Sequence, residues 1–256
     1  VAVVGQESLA FQATDPAWLP PPAGPRGCFV RHHLPFGAER VAVVSLTRSG
    51  VVQAGRVIAV LPGAWLFAPE KFRAEAETAA PGAATCFAGK TADQIPMLFA
   101  RFDGIVAIVA LGIAVRLIAP HLRDKAHDPG IVVLDEGGRF AIPVLSGHIG
   151  GANALAALLA ERIGATPVFT TASDSRGTLT VDLLGREFGW RIEAPKDNVT
   201  RASAAVVNDE PVALVQEAGT RHWWTRTAPL PANLRICATL EDIDPATVAA
   251  VLWISR

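Results

Sequence analysis

No run of basic residues occurs in this 256-residue chain, and its formal net charge is only −1. A general nucleic-acid binder shows a basic face or basic blocks, so that class is disfavoured. Long apolar runs are also missing. The longest, Ile105–Ala114, is about half of a membrane span and contains Gly112, so it reads as a buried strand entering a helix. The first fourteen residues lack a basic start, a continuous apolar stretch and a small-residue cleavage site, so no secretion signal is expected and the cytoplasm is the expected location. Cysteines are few: Cys28, Cys86 and Cys237 are odd in number, far apart and in no C-x-x-C arrangement. That excludes a disulfide framework or a thiolate metal site, and all three read as reduced thiols. The histidines lack H-E-x-x-H or any other short ligand spacing, so neither a metal site nor a cofactor is expected. Any metal would arrive inside a substrate.

Half of the residues are hydrophobic, which supports a sizeable core. Residues 1–40 read as a proline-rich extension or linker, because Pro-Ala-Trp-Leu-Pro-Pro-Pro-Ala-Gly-Pro at 16–25 cannot hold a regular helix or central strand. From Val41 onward, β-branched runs alternate with amphipathic segments. Strands are predicted at Val41–Leu46, Ala64–Phe67, Ile105–Ala110, Ile131–Leu134 and Val168–Thr170, and helices near 50–60, 91–101, 113–124, 152–163 and 178–188. The fold class is α/β: a parallel-sheet, three-layer domain over 41–175 and a second, smaller α/β domain over 176–256. In the second, Leu179–Phe188 and Lys196–Val207 read as helices, and Arg191–Glu193 and Val212–Val215 as strands. Ligands of such sheets sit beyond the carboxyl ends of the strands.

The chemistry concentrates at Leu145-Ser-Gly-His-Ile-Gly-Gly-Ala-Asn153, a Gly-rich turn that carries Ser146, His148 and Asn153 and opens a helix. Gly147, Gly150 and Gly151 permit close backbone approach, and the helix start offers N–H groups to an anionic ligand. The spacing is neither G-x-G-x-x-G, nor G-x-S-x-G, nor a P-loop. His148 has little apolar surface to cover and suits proton transfer or ligand contact, the alternative being a histidine that fixes the loop. Ser146 reads first as a hydrogen-bond donor and second as a nucleophile. Asp135-Glu136-Gly137-Gly138-Arg139 reads as a hairpin turn that delivers Ser146 to the rim and sets a carboxylate near it. Arg116 can clamp a carboxylate, while Lys125 either joins that clamp or caps the preceding helix. Thr170, Thr171 and Asp174 form a hydroxyl-rich wall or an N-cap. Trp223-Trp224 reads as a buried or domain-contact pair.

At these residues the chain resembles the CbiG family of cobalamin-biosynthesis proteins. The similarity rests on Val41–Thr47, Pro69–Phe72, Gly112–Arg116, Ala119-Pro120, Asp124-Lys125, Asp128-Pro129, Val132–Glu136, Leu145–Asn153 and Pro167–Asp174, and residues 176–255 look like the family's middle region. The resemblance implies opening of the δ-lactone of cobalt-precorrin-5A with release of acetaldehyde, in anaerobic corrin-ring synthesis. The partner it implies is a cobalt-corrinoid small molecule, whose acetate and propionate groups suit a cradle of Arg116, Lys125 and a helix N-terminus. His148 would serve as base, with Asp135 or Ser146 as further candidates and the loop N–H groups facing the oxyanion. A homodimer and a separate polypeptide carrying the family's C-terminal domain are further candidate partners. The competing readings are a non-catalytic corrinoid-binding carrier and a flavodoxin-like nucleotide binder.

Overall fold

The computed structural model describes residues 8–12, 34–124, 127–224 and 229–256. In chain order, β1 is Ser8–Gln12 and β2 Val41–Ser45; α1, Arg48–Val60, leads to β3, Trp65–Pro69. Next come α2 (Arg73–Ala79), β4 (Ala84–Phe87), α3 (Ile95–Arg101), β5 (Gly104–Ile108) and α4 (Leu111–Ile118). A hairpin of β6 (Gly130–Leu134) and β7 (Phe140–Leu145) precedes α5 (Ala152–Ile163) and the short β8 (Thr166–Pro167). The chain then runs through α6 (Ala172–Ser175), β9 (Arg191–Glu193), α7 (Lys196–Val207), β10 (Val212–Gln216), β11 (Leu234–Cys237) and β12 (Ala250–Ser255). No helix among the described residues is long and apolar enough to cross a membrane.

Two compact units emerge, His32–Thr170 and Thr171–Arg256 joined by the N-terminal segment that carries β1. The first holds a seven-stranded sheet in the order β4-β3-β2-β5-β6-β7-β8, in which β7 and β8, parallel to each other, run against the other five. Alternation along each strand assigns the faces. Val41, Val43, Val106, Ile108, Val132 and Leu134 pack under α1, α2 and α5. Ala42, Val44, Ile105 and Ile131 pack with α3 and Ile118 of α4, and Val133 with Ala114 of α4. Strands covered on both faces need apolar side chains at every position, which is why β2 is an uninterrupted buried run. The expected helix at 113–124 stops at Ile118, followed by a single 3₁₀ turn, Ala119–His121, because Pro120 has no N–H to continue the ladder.

The second unit is a sheet of order β11-β10-β12-β1-β9, parallel except for β9. One face packs with α7, Trp190 and Trp223, and the other with Leu240, Ile243 and Val248. Trp223 and Trp224 meet edge to face at 6.3 Å between ring centroids.

Four expectations need correction. Residues 1–40 are not linker throughout, since Ser8–Gln12 pairs with Val251–Ser255 of β12 and with β9. The units divide at Thr170/Thr171 and not after residue 175. The expected helix at 178–188 is two 3₁₀ turns, because Gly185 and Gly189 take φ of 72° and 75°, and at Gly185 a Cβ would lie 1.9 Å from the Trp190 ring. The expected strand at 168–170 is replaced by Thr166–Pro167, whose pairing ends with the Val168 N–H on the Ala141 carbonyl. Cys86 and Cys237 are free thiols in β4 and β11; Cys28 lies outside the described residues.

Candidate functional site

The hairpin decides where each candidate lies. Its turn is closed by Asp135, whose carboxylate accepts the N–H groups of Arg139 (2.6 Å) and Phe140 (2.8 Å) and the Arg139 Nε–H (3.1 Å). Burial alone would raise the Asp135 carboxyl, but the Phe140 N–H and Arg139 take it below its ordinary range. Such a carboxylate is a poor proton acceptor, and it holds a turn. It is also remote from the loop after β7. Leu134 pairs with Ala141 at one end of the ladder and Ile131 with Leu145 at the other, so about 16 Å of strand separates Asp135 from Ser146. Asp135 therefore does not share a rim with His148. The turn lies at the carboxyl edge of the parallel strands; the 146–151 loop lies at the amino edge.

That loop is tightly built. Ser146 takes φ +52°, a left-handed conformation that costs a non-glycine residue about 1–2 kcal/mol. The loop then folds back on the start of β6: a Cβ on Gly130 would lie 2.1 Å from the Gly150 carbonyl oxygen. Gly151, at φ +80°, caps α5. The N–H groups of Gly151, Ala152 and Asn153 donate to the carbonyls of His148 (3.0 Å), Ser146 (3.2 Å) and Gly147 (2.9 Å). Three of the donors expected around this helix start are thus committed within the loop. Ser146 Oγ is buried and has no hydrogen-bond partner among the described residues, so in this conformation it is neither an exposed nucleophile nor a surface donor. Asn153 packs its amide over Gly147, where a Cβ would lie 2.7 Å from Oδ1. His148 is half-buried at the head of the loop.

Arg116 is elsewhere. α4 and α5 lie on opposite faces of the sheet, and Arg116 sits in the last turn of α4. The guanidinium reaches back to the Gly112 carbonyl at 3.3 Å. Lys125 lies outside the described residues. Thr170 closes the first unit, whereas Thr171 and Asp174 open the second, where the Thr171 hydroxyl donates to the Asp174 carboxylate at 2.5 Å.

At the carboxyl edge, strand order reverses between β2 and β5, which is where an open α/β sheet offers its crevice. Here the α1 N-terminus already holds an anion from its own chain: Glu136 accepts the Thr47 hydroxyl at 2.6 Å and the Ser49 hydroxyl, while Thr47 Oγ1 accepts the Gly50 N–H at 3.1 Å. The Ser49 and Thr47 hydroxyls hold the Glu136 carboxyl below its ordinary range. Sequence reasoning did not single out Thr47 and Ser49 as functional. Their signal was a strand followed by Thr-x-Ser-Gly at a helix start. Thr47→Ala is expected to lower the unfolding free energy by about 1 kcal/mol. Glu136→Gln should cost a few tenths at pH 7, given its exposure. Because the folded-state value is depressed, the Glu136 contribution is present above its unfolded pKa of about 4.3 and lost as pH falls through the folded value. Urea titrations at pH 7 and pH 3 check both magnitude and sign.

The amino edge holds a cavity. It measures ≈ 300 Å³ and lies beside the segment that runs into Gly130, between α3 and residues 120–123 and 127–128, walled by Phe99, Pro120 and Leu122 and carrying His121, His127 and Asp128. Across this edge Arg40 and Asp103 form a two-pronged ion pair, 2.9 Å on each arm, that fixes the starts of β2 and β5. No group of three or more His, Cys, Asp or Glu among the described residues could hold a metal ion.

Residues 93–174 match the family described as cobalamin synthesis G N-terminal, and residues 179–256 match the cobalamin biosynthesis central region. A protein of Priestia megaterium named cobalt-precorrin-5A hydrolase is 40% identical over 84% of this chain and 57% of its own length. One of the same name from Salmonella typhimurium is 37% identical over 73% of this chain and 48% of its own. The chain thus spans about half the length of these curated relatives. A crystal structure described as a cobalamin biosynthesis protein G homologue from Sulfolobus solfataricus aligns at 23% identity and a TM-score of 0.46, covering 88% of this chain and 62% of that one.

Proposed function

The chain belongs to the CbiG family, of which it carries the N-terminal and central regions, and from that premise we propose that it opens the δ-lactone of cobalt-precorrin-5A and releases acetaldehyde. The observation that carries this reading is the 40% identity, over most of the chain, to a protein named for that hydrolysis. Lactone opening needs an activated water, stabilisation of the oxyanion and protonation of the departing ring oxygen. We place the reaction at the amino edge of the larger unit. The 145–153 loop is held there by backbone contacts and by an energetically costly Ser146, an arrangement that pre-organises His148 as a proton-transfer group. The oxyanion donor is placed elsewhere than on Gly151, Ala152 or Asn153, whose N–H groups are committed within the loop. The carboxyl-edge crevice is set aside because Glu136 occupies its helix terminus.

The test is to incubate the purified chain with cobalt-precorrin-5A, alone and with a polypeptide carrying the family's C-terminal domain, and to trap acetaldehyde while following the corrinoid spectrum. One equivalent of acetaldehyde per corrinoid is expected. Corrinoid binding with the lactone intact under both conditions would replace the hydrolase reading with that of a carrier.

A further inference from the structure

The amino-edge cavity contains a charge arrangement that the 145–153 loop does not explain. His127 Nδ1 lies 2.9 Å from both carboxylate oxygens of Asp124, and the His127 backbone N–H meets Asp124 Oδ1 at 3.2 Å. A carboxylate can only accept, so Nδ1 is the donor in this pair, and in the neutral imidazole Nε2 then holds the lone pair. The imidazole is solvent-accessible and lines the cavity, opposite the apolar wall of Phe99 and Pro120. Asp128, nine-tenths buried in the same lining, accepts the Arg123 N–H at 3.1 Å on each oxygen. Asp124 is hydrogen-bonded to the imidazole and Asp128 is the next residue in the chain, so two carboxylates flank His127. They suit a group that accepts a proton and becomes cationic, because a nearby carboxylate stabilises an imidazolium.

We propose that His127, oriented by Asp124, is the general base that activates water in this cavity for attack on an ester carbonyl. The inference rests on the hydrolase reading above and adds a second proton-transfer group to His148. In the step, His127 Nε2 takes one proton from water as the hydroxide oxygen bonds to the lactone carbonyl carbon. The ring carbon–oxygen bond then breaks, and the departing alkoxide takes a proton from the His148 imidazolium. Ester and water give a hydroxy acid, with no oxidant or further reactant, and the two histidines reset by exchange with solvent. In the chain His127 is three residues before Gly130, which abuts Gly150 of the His148 loop.

The experiment compares wild type, His127→Ala, Asp124→Asn and Asp124→Glu for kcat on cobalt-precorrin-5A and for corrinoid Kd by spectral titration, with and without added imidazole. His127→Ala is expected to lose about a hundredfold in kcat with Kd within about threefold, and imidazole in solution should restore part of the loss. Asp124→Asn should lose about tenfold or more, and Asp124→Glu should recover most of it, which a purely structural role would not give. A His127→Ala protein with kcat within threefold of wild type overturns the proposal. So does a loss that imidazole leaves untouched, which would make His127 structural. If wild type releases no acetaldehyde either alone or with the polypeptide carrying the C-terminal domain, the hydrolase reading falls and this inference falls with it; failure in the variants alone removes only the dyad.

Discussion

His148→Ala is expected to lower turnover of cobalt-precorrin-5A by about a hundredfold or more while leaving corrinoid affinity within about threefold. A proton-transfer group acts mainly in the transition state, so its removal falls on kcat; a hundredfold is about 2.7 kcal/mol of barrier. The side chain is half-buried in a loop whose shape is set by backbone bonds and by Gly130, Gly150 and Gly151, so truncating it should spare the fold. A thermal melt of the variant establishes that point before kinetics are read. Arg116→Ala provides the contrast. Were Arg116 a carboxylate clamp, its loss would weaken binding. With its guanidinium turned back onto the Gly112 carbonyl, it should alter neither affinity nor turnover more than about twofold. Unchanged turnover in a folded His148→Ala would take this residue out of the chemistry.

Gly130→Ala is expected to be the most damaging single-methyl change in the larger unit. The added Cβ would stand 2.1 Å from the Gly150 carbonyl oxygen, 3.0 Å from its carbon and 2.9 Å from the Ala152 nitrogen. These are backbone atoms at a strand start and a helix start, with no rotamer through which to yield. Overpacking costs about 1–3 kcal/mol where side chains can adjust, so about 3 kcal/mol or more is expected here. The displaced loop should carry turnover down with it. Gly164→Ala is the control: at φ +77° with nothing within 4 Å, it meets only the left-handed penalty of about 1–2 kcal/mol, and turnover should not change. Urea midpoints and kcat on both variants decide it. Equal stability losses would mean that the Gly130–Gly150 contact is looser than described.

Local elements were legible where the pattern was local. The predicted helices at 152–163 and 196–207 are α5 and α7 to the residue, one bracketed by glycines and the other by a proline and a polar turn. β2, β6 and the hairpin at 135–139 were legible from β-branched runs and the Gly-Gly turn. What could not be read was non-local. β1 belongs to a sheet formed with residues 250–255, a pairing that nothing in Ser8–Gln12 announces. The site was misplaced for a subtler reason. The hairpin itself implies that β7 runs against the other strands, so the loop after it must emerge at the amino edge. The general preference of open α/β sheets for ligands at the carboxyl edge concealed that consequence. The committed N–H groups at the start of α5 were equally hidden, since they depend on the positive φ of Ser146, a residue type that rarely adopts it.

The central claim, that the amino edge of the larger unit is where the corrinoid is held, is tested most directly by hydrogen exchange on the full chain with and without saturating cobalt-precorrin-5A or its hydrolysed product. The account predicts slowed exchange in backbone amides of residues 120–130 and 145–153, with little change at 47–50, 110–116 and 135–139. Protection confined to that second set would contradict it, and would move the site to the crevice that Glu136 closes.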